Sequence, residues 1–221
     1  MTIACTAAII DLDGTLLDTV ADITAALDLM LNDLGLPPTP AERVARLIGT
    51  GGDILVREVL LAATSDAAQA DALFERARER YLAHYLVVNG RHAAVYPGVV
   101  AGLQRLKERG IVLACVTNKP TVLARALLQG KGLADYFHGV YGGEQFERLK
   151  PDPLPLLKTC EALGTAPSRT LMVGDSRNDA KAARAAGCPV VLVTYGYNHG
   201  EPVRAVDADG FVDSLAELPI G

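Results

Sequence analysis

Short apolar runs alternate along the chain with longer segments whose apolar positions recur every three or four residues. The runs at 5–10, 111–116, 170–173 and 189–193 are continuously apolar, the pattern of strands buried on both faces. Weaker runs at 139–141 and 211–212 extend the series. The intervening helical segments carry matching punctuation. Pro97 precedes a helix over 99–109, at a first helical position, and Gly110 stops it. Asp152-Pro153 opens a helix that runs to Gly164, and an Ala-rich segment, 177–186, ends at Gly187. Strand and helix in alternation predict an α/β fold with a doubly wound parallel sheet, a Rossmann-like core.

One stretch, 16–96, breaks this alternation and shows helical patterns with no strand. Thr19-x-x-Asp22 has the form of a capping box, and Thr39-Pro40-x-Glu42 starts a second, shorter helix. Further helices are expected over 53–63 and 65–85. A crossover between parallel strands needs about one helix. The expectation is therefore a core formed by 1–15 and 97–221, with an all-helical cap, 16–96, inserted after the first strand.

Composition narrows the function. Of 221 residues, 50% are hydrophobic and 21% charged, which excludes a disordered chain. The net charge of −5 argues against nucleic acid or an anionic membrane as partner, since both reward a basic face. No apolar run approaches the roughly 18–20 residues that span a bilayer. The first apolar stretch lacks a basic flank and runs straight into Asp11 and Asp13, so a cytoplasmic location is expected. Cys5, Cys115, Cys160 and Cys188 form no C-x-x-C pair and read as free thiols; the scattered histidines give zinc no site.

Three strong strands end in polar clusters, and ligands of open α/β sheets gather beyond strand carboxyl ends. The clusters are Asp11-Leu12-Asp13-Gly14-Thr15, Thr117-Asn118-Lys119-Pro120, and Gly174-Asp175-Ser176-Arg177-Asn178-Asp179, with Lys150-Pro151 at a helix entrance before the last. Asp11, Asp13, Asp175 and Asp179 would repel one another unless a cation sat among them. Oxygen ligands without His or Cys select a hard ion, hence Mg²⁺. Lys150, the Thr117 hydroxyl, and backbone amides of the 12–14 turn and of Asn118 complete a phosphate site. A carboxylate beside a phosphoryl group held in this way is a competent nucleophile. A calcium loop is disfavoured because Leu16 stands where such a loop needs glycine.

These four clusters, in this order, resemble the motifs of the haloacid-dehalogenase-type phosphohydrolases. The likeness covers nearly the whole chain, with 16–96 where that family carries its helical cap. The segments Val173 to Asp179, Ala186-Gly187-Cys188-Pro189, Thr194-Tyr195-Gly196-Tyr197-Asn198 and Ile48-Gly49-Thr50-Gly51-Gly52 resemble in particular bacterial phosphoglycolate phosphatases. The resemblance implies that Asp11 attacks phosphorus to give an aspartyl-phosphate, while Asp13 acts as acid and then base. It implies that Thr117, Asn118 and Lys150 hold the phosphoryl oxygens. Mg²⁺ would be held by the Asp11 and Asp175 carboxylates and the Asp13 carbonyl. Asp179 would orient Lys150 or a metal-bound water.

The implied reaction is hydrolysis of a small phosphate monoester, 2-phosphoglycolate, to glycolate and phosphate. Asp13 speaks against a dehalogenase, whose halide needs no acid. The absence of lysine from 16–96 speaks against a phosphonatase that forms a Schiff base from its cap. A phosphomutase, a sugar phosphatase, a pyrophosphatase and a silent binding protein on the same scaffold remain the alternatives. A cap loop of Gly49, Thr50 and Gly51 is expected to meet the substrate carboxylate through the amides of 50–53, helped by Arg43, Arg46 or Arg57. Tyr195 and His199 read as loop packing.

Overall fold

The computed structural model describes residues 2–221. In chain order it contains β1 (Ala7–Ile10), β2 (Leu17–Asp18), α1 (Val20–Asp33), α2 (Ala41–Leu47), α3 (Gly52–Thr64) and α4 (Ala67–Val88). There follow β3 (Ala94–Val95), α5 (Val99–Glu108), β4 (Val112–Val116), α6 (Thr121–Gly130) and β5 (Gly139–Tyr141). The chain ends with α7 (Leu154–Leu163), β6 (Thr170–Gly174), α8 (Arg177–Ala186), β7 (Val190–Val193) and β8 (Gly210–Val212). No helix among the described residues is long and apolar enough to cross a membrane.

Six strands form one parallel sheet in the order β5-β4-β1-β6-β7-β8. Its apolar residues point to both faces, which is why the strand runs are continuous. Ala8 and Ile10 pack with Leu103, Leu106, Ala124 and Leu127 of α5 and α6. Ile9 and Met172 pack on the other face with Leu156, Ala180 and Ala183 of α7 and α8. The chain steps from β1 to β4 and β5 on one side, then returns to β6, β7 and β8 on the other. The reversal falls at β1, so the carboxyl ends of β4, β1 and β6 lie side by side at a topological switch point.

Helices α1 to α4 enclose a separate apolar cluster that includes Leu27, Met30, Leu31, Val56, Leu60 and Tyr85, and Leu123 of α6 joins it from below. Two departures from the helical reading of this stretch have physical causes. At its two ends, β2 and β3 pair antiparallel, Leu17 with Val95 and Asp18 with Ala94. Two residues are too few to show a period-2 pattern. The capping box at Thr19 does not form. Asp22 instead accepts from the backbone N–H groups of Gly90 (2.6 Å), His92 (2.7 Å) and Ala93 (3.2 Å), tying the entry of the stretch to its exit. Pro97 also lies outside α5, whose N-cap is Gly98 at φ 80°.

Candidate active site

Asp11 leaves the sheet at the end of β1, its amide bonded to Val173 O at 2.9 Å and so continuing the β1/β6 ladder by one residue. Thr117 does the same beyond β4, with its amide on Tyr141 O at 3.0 Å. The turn after Asp11 is closed by Leu12 O, which accepts from Thr15, Leu16 and Leu17, while Gly14 N–H donates to Leu17 O at 2.9 Å. The Gly14 amide is therefore spent inside the turn, which takes it out of the predicted nest over 12–14 and leaves that expectation to the amides of Leu12 and Asp13. Gly14 has φ 85°, and a Cβ there would lie 2.8 Å from the carboxyl carbon of Asp175. Only glycine allows that approach.

Lys150 is the hub of the site. Its Nζ donates to Asp179 Oδ1 at 2.7 Å and to Val116 O at 2.9 Å. It also lies 2.9 Å from Asp11 Oδ1, outside hydrogen-bonding alignment, so that buried oxygen has no aligned donor. Burial opposes the ammonium charge, but Asp11 and Asp179 outweigh it and push the Lys150 pKa upward. Asp179 serves two neighbours. Its Oδ2 accepts from the Ser176 hydroxyl and amide, closing the capping box of α8, while its other oxygen holds Lys150. The first-turn helix acid and the lysine partner are thus the same residue.

Asp175 accepts from the Thr15 hydroxyl at 3.1 Å and from Tyr197 N–H at 2.7 Å. Oxygens of Asp11, Asp175 and Asp179 lie within 4.8 Å of one another, all three residues buried. Burial, offset only in part by Lys150, pushes Asp11 up to about 7. Burial, then the charges of Asp179 and Asp11, push Asp175 up to about 8. Buried oxygens that resist ionising together, one of them without an aligned donor, form a donor set suited to a hard divalent cation. The residues fit such an ion. The carboxylate of Asp13 lies outside this cluster.

Asp13 faces another lysine. Lys119 Nζ lies 3.0 Å from Asp13 Oδ1 and 3.3 Å from Oδ2, donates to the Tyr85 hydroxyl, and sits 4.4 Å from the centre of the Tyr85 ring. Lys119 and Tyr85 are the site residues that sequence reasoning missed. The only signal for Lys119 was its place beside Thr117 and Asn118; Tyr85 looked like any core aromatic.

A cavity between the strand ends and the helical stretch is lined by Asp11, Asp13, Thr117, Asn118, Lys119 and Lys150 below. Ile48, Gly49, Gly51, Gly52, Tyr81 and Tyr85 line it above. Asn118 does not open a helix, since α6 begins at Thr121. Its side chain instead donates to Gly49 O and Lys150 O, both at 2.8 Å, and accepts from Lys150 N at 3.0 Å. Thr117 Oγ1 accepts from Lys119 N–H at 3.2 Å, leaving the hydroxyl proton to donate.

Gly49 and Gly51 border the cavity with φ of 91° and 100°, and Gly51 caps α3. Thr50 is not among the lining residues; its hydroxyl donates to Leu47 O at 2.7 Å. The three arginines expected to help are elsewhere. Arg43 and Arg46 border an outer groove with Glu42 and Glu58. Arg57 pairs with Asp71 and stacks over Phe74. Tyr195 donates to Thr15 O at 2.8 Å, and His199 Nδ1 lies 3.1 Å from Arg46 O, both as packing contacts.

The chain as a whole is similar to known proteins. The family model described as haloacid dehalogenase-like hydrolase matches residues 5–187. The chain is 47% identical over 214 residues to a phosphoglycolate phosphatase of Thiobacillus denitrificans, covering 97% of this chain and 94% of that protein. It is also 47% identical over 223 residues to a plasmid phosphoglycolate phosphatase of Cupriavidus necator, covering 99% and 94%. A crystal structure of a predicted phosphoglycolate phosphatase from Haemophilus somnus superposes with a TM-score of 0.91 at 33% identity, covering 96% of each chain.

Proposed function

The chain belongs to the haloacid dehalogenase-like hydrolases, and from that premise we propose that it hydrolyses 2-phosphoglycolate to glycolate and phosphate through an aspartyl-phosphate on Asp11. The observation that carries this reading is the placing of Asp11 and Asp13 on one cavity, each beside its own buried lysine. The substrate is supported by the relatives' activity and by near full-length likeness to them.

The Asp11 carboxylate attacks phosphorus, forming an acyl-phosphate bond as the bond to the ester oxygen breaks. Asp13 gives its proton to the departing glycolate oxygen. It then takes a proton from the water that attacks the same phosphorus, releasing phosphate and restoring Asp11. Lys150 and the Thr117 hydroxyl hold phosphoryl oxygens, whose charge is the main burden in phosphoryl transfer. The Asn118 side chain fastens Lys150 to the strand end and to Gly49, and its backbone amide is left to meet a phosphoryl oxygen. Asp179 orients Lys150. The Asp11 and Asp175 carboxylates, with the Asp13 carbonyl, would hold Mg²⁺, which supplies neutralising charge to these acids and to the phosphate. Residues 16–96 act as a cap that closes over 1–15 and 97–221 and excludes water.

The test is kcat/KM for 2-phosphoglycolate, a hexose phosphate and pyrophosphate with Mg²⁺ present. Phosphoglycolate is expected to lead by at least about tenfold, a factor that corresponds to 1.4 kcal/mol of transition-state binding. A preference for the hexose phosphate overturns the substrate assignment.

A further inference from the structure

Lys119 has no part in the chemistry described above, yet it is 5% exposed and its ammonium forms part of the cavity wall. A buried ammonium is held at a desolvation cost, so its position calls for a reason beyond packing. Lys150, the other cation lining the cavity, is bonded to Asp179 and Val116 O and is assigned above to the phosphoryl oxygens beside Asp11, which leaves Lys119 for any second anionic group. No arginine lines the cavity, and 16–96 contains no lysine.

We propose that Lys119 is the receptor for a second anionic group on the substrate, which under the phosphoglycolate reading is the carboxylate. The inference rests on that reading for the identity of the group and on geometry for its place. Asp13 must stand within hydrogen-bond reach of the ester oxygen it protonates, roughly 2.6–3.2 Å. In a two-carbon phosphorylated acid the carboxylate is one methylene beyond that oxygen. Lys119 Nζ lies 3.0 Å from Asp13 Oδ1 and so stands where a group one carbon past the leaving oxygen arrives. The substrate carboxylate takes up the ammonium that Asp13 and Tyr85 hold beforehand, and a carboxylate oxygen of Asp13 turns to the ester oxygen. Tyr85 comes from α4 and Lys119 from the loop before α6, so this receptor is assembled only with the helical stretch over the strand ends.

The experiment compares 2-phosphoglycolate with ethyl phosphate, which keeps the leaving oxygen and chain length but replaces the carboxylate by a methyl group. In the wild type, 2-phosphoglycolate should lead by about 100-fold in kcat/KM, the scale of one charge-assisted contact made in a closed site. Lys119→Met should lose at least about 30-fold more on 2-phosphoglycolate than on ethyl phosphate, chiefly through KM, and Lys119→Arg should recover part of that difference. Equal losses on both substrates would assign the lysine to supporting Asp13 or the fold and would overturn the proposal. Should Lys119→Met fail to fold, the wild type assayed with the carboxyl methyl ester of phosphoglycolate decides the matter. A loss under about threefold with that ester rejects a second-anion receptor, and a larger loss supports one. A wild type that favours a hexose phosphate sinks the substrate reading instead, while the unequal response to the paired esters still decides the role of Lys119.

Discussion

The strand ends and the helical stretch above them line the same cavity by different means. Below, nearly every polar side chain is bonded to another from the same sheet edge: Lys150 to Asp179, Asp179 to Ser176, Asp175 to Thr15. Above, the lining is apolar side chains, tyrosines and the backbone of the Gly49–Gly51 turn. Around the cavity the polar bonds between the two are Asn118 and Asn178 to Gly49 O, Lys119 to Tyr85, and Tyr197 to Asp18 and the start of α1; farther out Asn89 meets Leu123 O, Lys131 meets Gly90 O and His199 meets Arg46 O. A mutually bonded lower layer holds its geometry whether or not the cavity is covered. An upper layer joined to the lower one by fewer bonds than the lower layer makes within itself is the cheaper of the two to move, as the proposed cap role requires. Under the proposed function the lower region carries the reaction and the upper one choice and access.

The comparison is broken most directly from below. Asp11→Asn should reduce phosphate release by about 10⁴-fold or more with an unchanged circular dichroism spectrum, since the nucleophile is lost and no packing is. Measurable turnover near the wild-type rate would remove Asp11 from that role. Chelation by EDTA should abolish activity and added Mg²⁺ should restore it; metal-independent turnover would contradict the reading of the acid cluster.

Asp179→Ala should cost about 2–4 kcal/mol in denaturant unfolding, because it leaves a buried lysine with Asp11 as its one carboxylate neighbour and opens the α8 capping box. Activity should fall in parallel by about 100-fold or more. A variant of wild-type stability would show that the lower network is less interdependent than its bonds suggest. Asp22→Ala deprives three backbone N–H groups at the foot of the helical stretch of their acceptor. It should cost about 1–3 kcal/mol and act on KM more than on kcat. The smallest effect sharpens the contrast: Arg43→Ala and Arg46→Ala, both on the outer groove, should alter kcat/KM by less than about threefold. A larger loss would place an upper-layer cation in recognition after all.

Much of this architecture is legible in residue pattern because it depends on local order. Continuous apolar runs locate the six sheet strands, and polar residues immediately after β1, β4 and β6 mark the site, since residues just past a strand's carboxyl end project from the sheet edge. Gly14 and the glycines at 49 and 51 are visible for the same reason. Patterning failed where a side chain has more than one possible partner. Asp22 has the spacing of a capping residue, but three amides near residue 90 compete for it and win. Arg43, Arg46 and Arg57 lie close in sequence to the Gly49–Gly51 turn, yet helix rotation turns them away from the cavity.

By itself, then, the order of residues determined the parallel α/β core, the interrupting helices and the acids at the strand ends, for each of these follows from a periodicity or a neighbour. Tertiary structure alone decided which charges meet. It gave Lys150 to Asp11 and Asp179, and Lys119 to Asp13 and Tyr85. It also committed the Asn118 side chain to holding loops. Partners 29 to 139 residues apart, Lys150–Asp179 and Lys150–Asp11 among them, are chosen by distance and burial in the folded chain, and no local pattern encodes those.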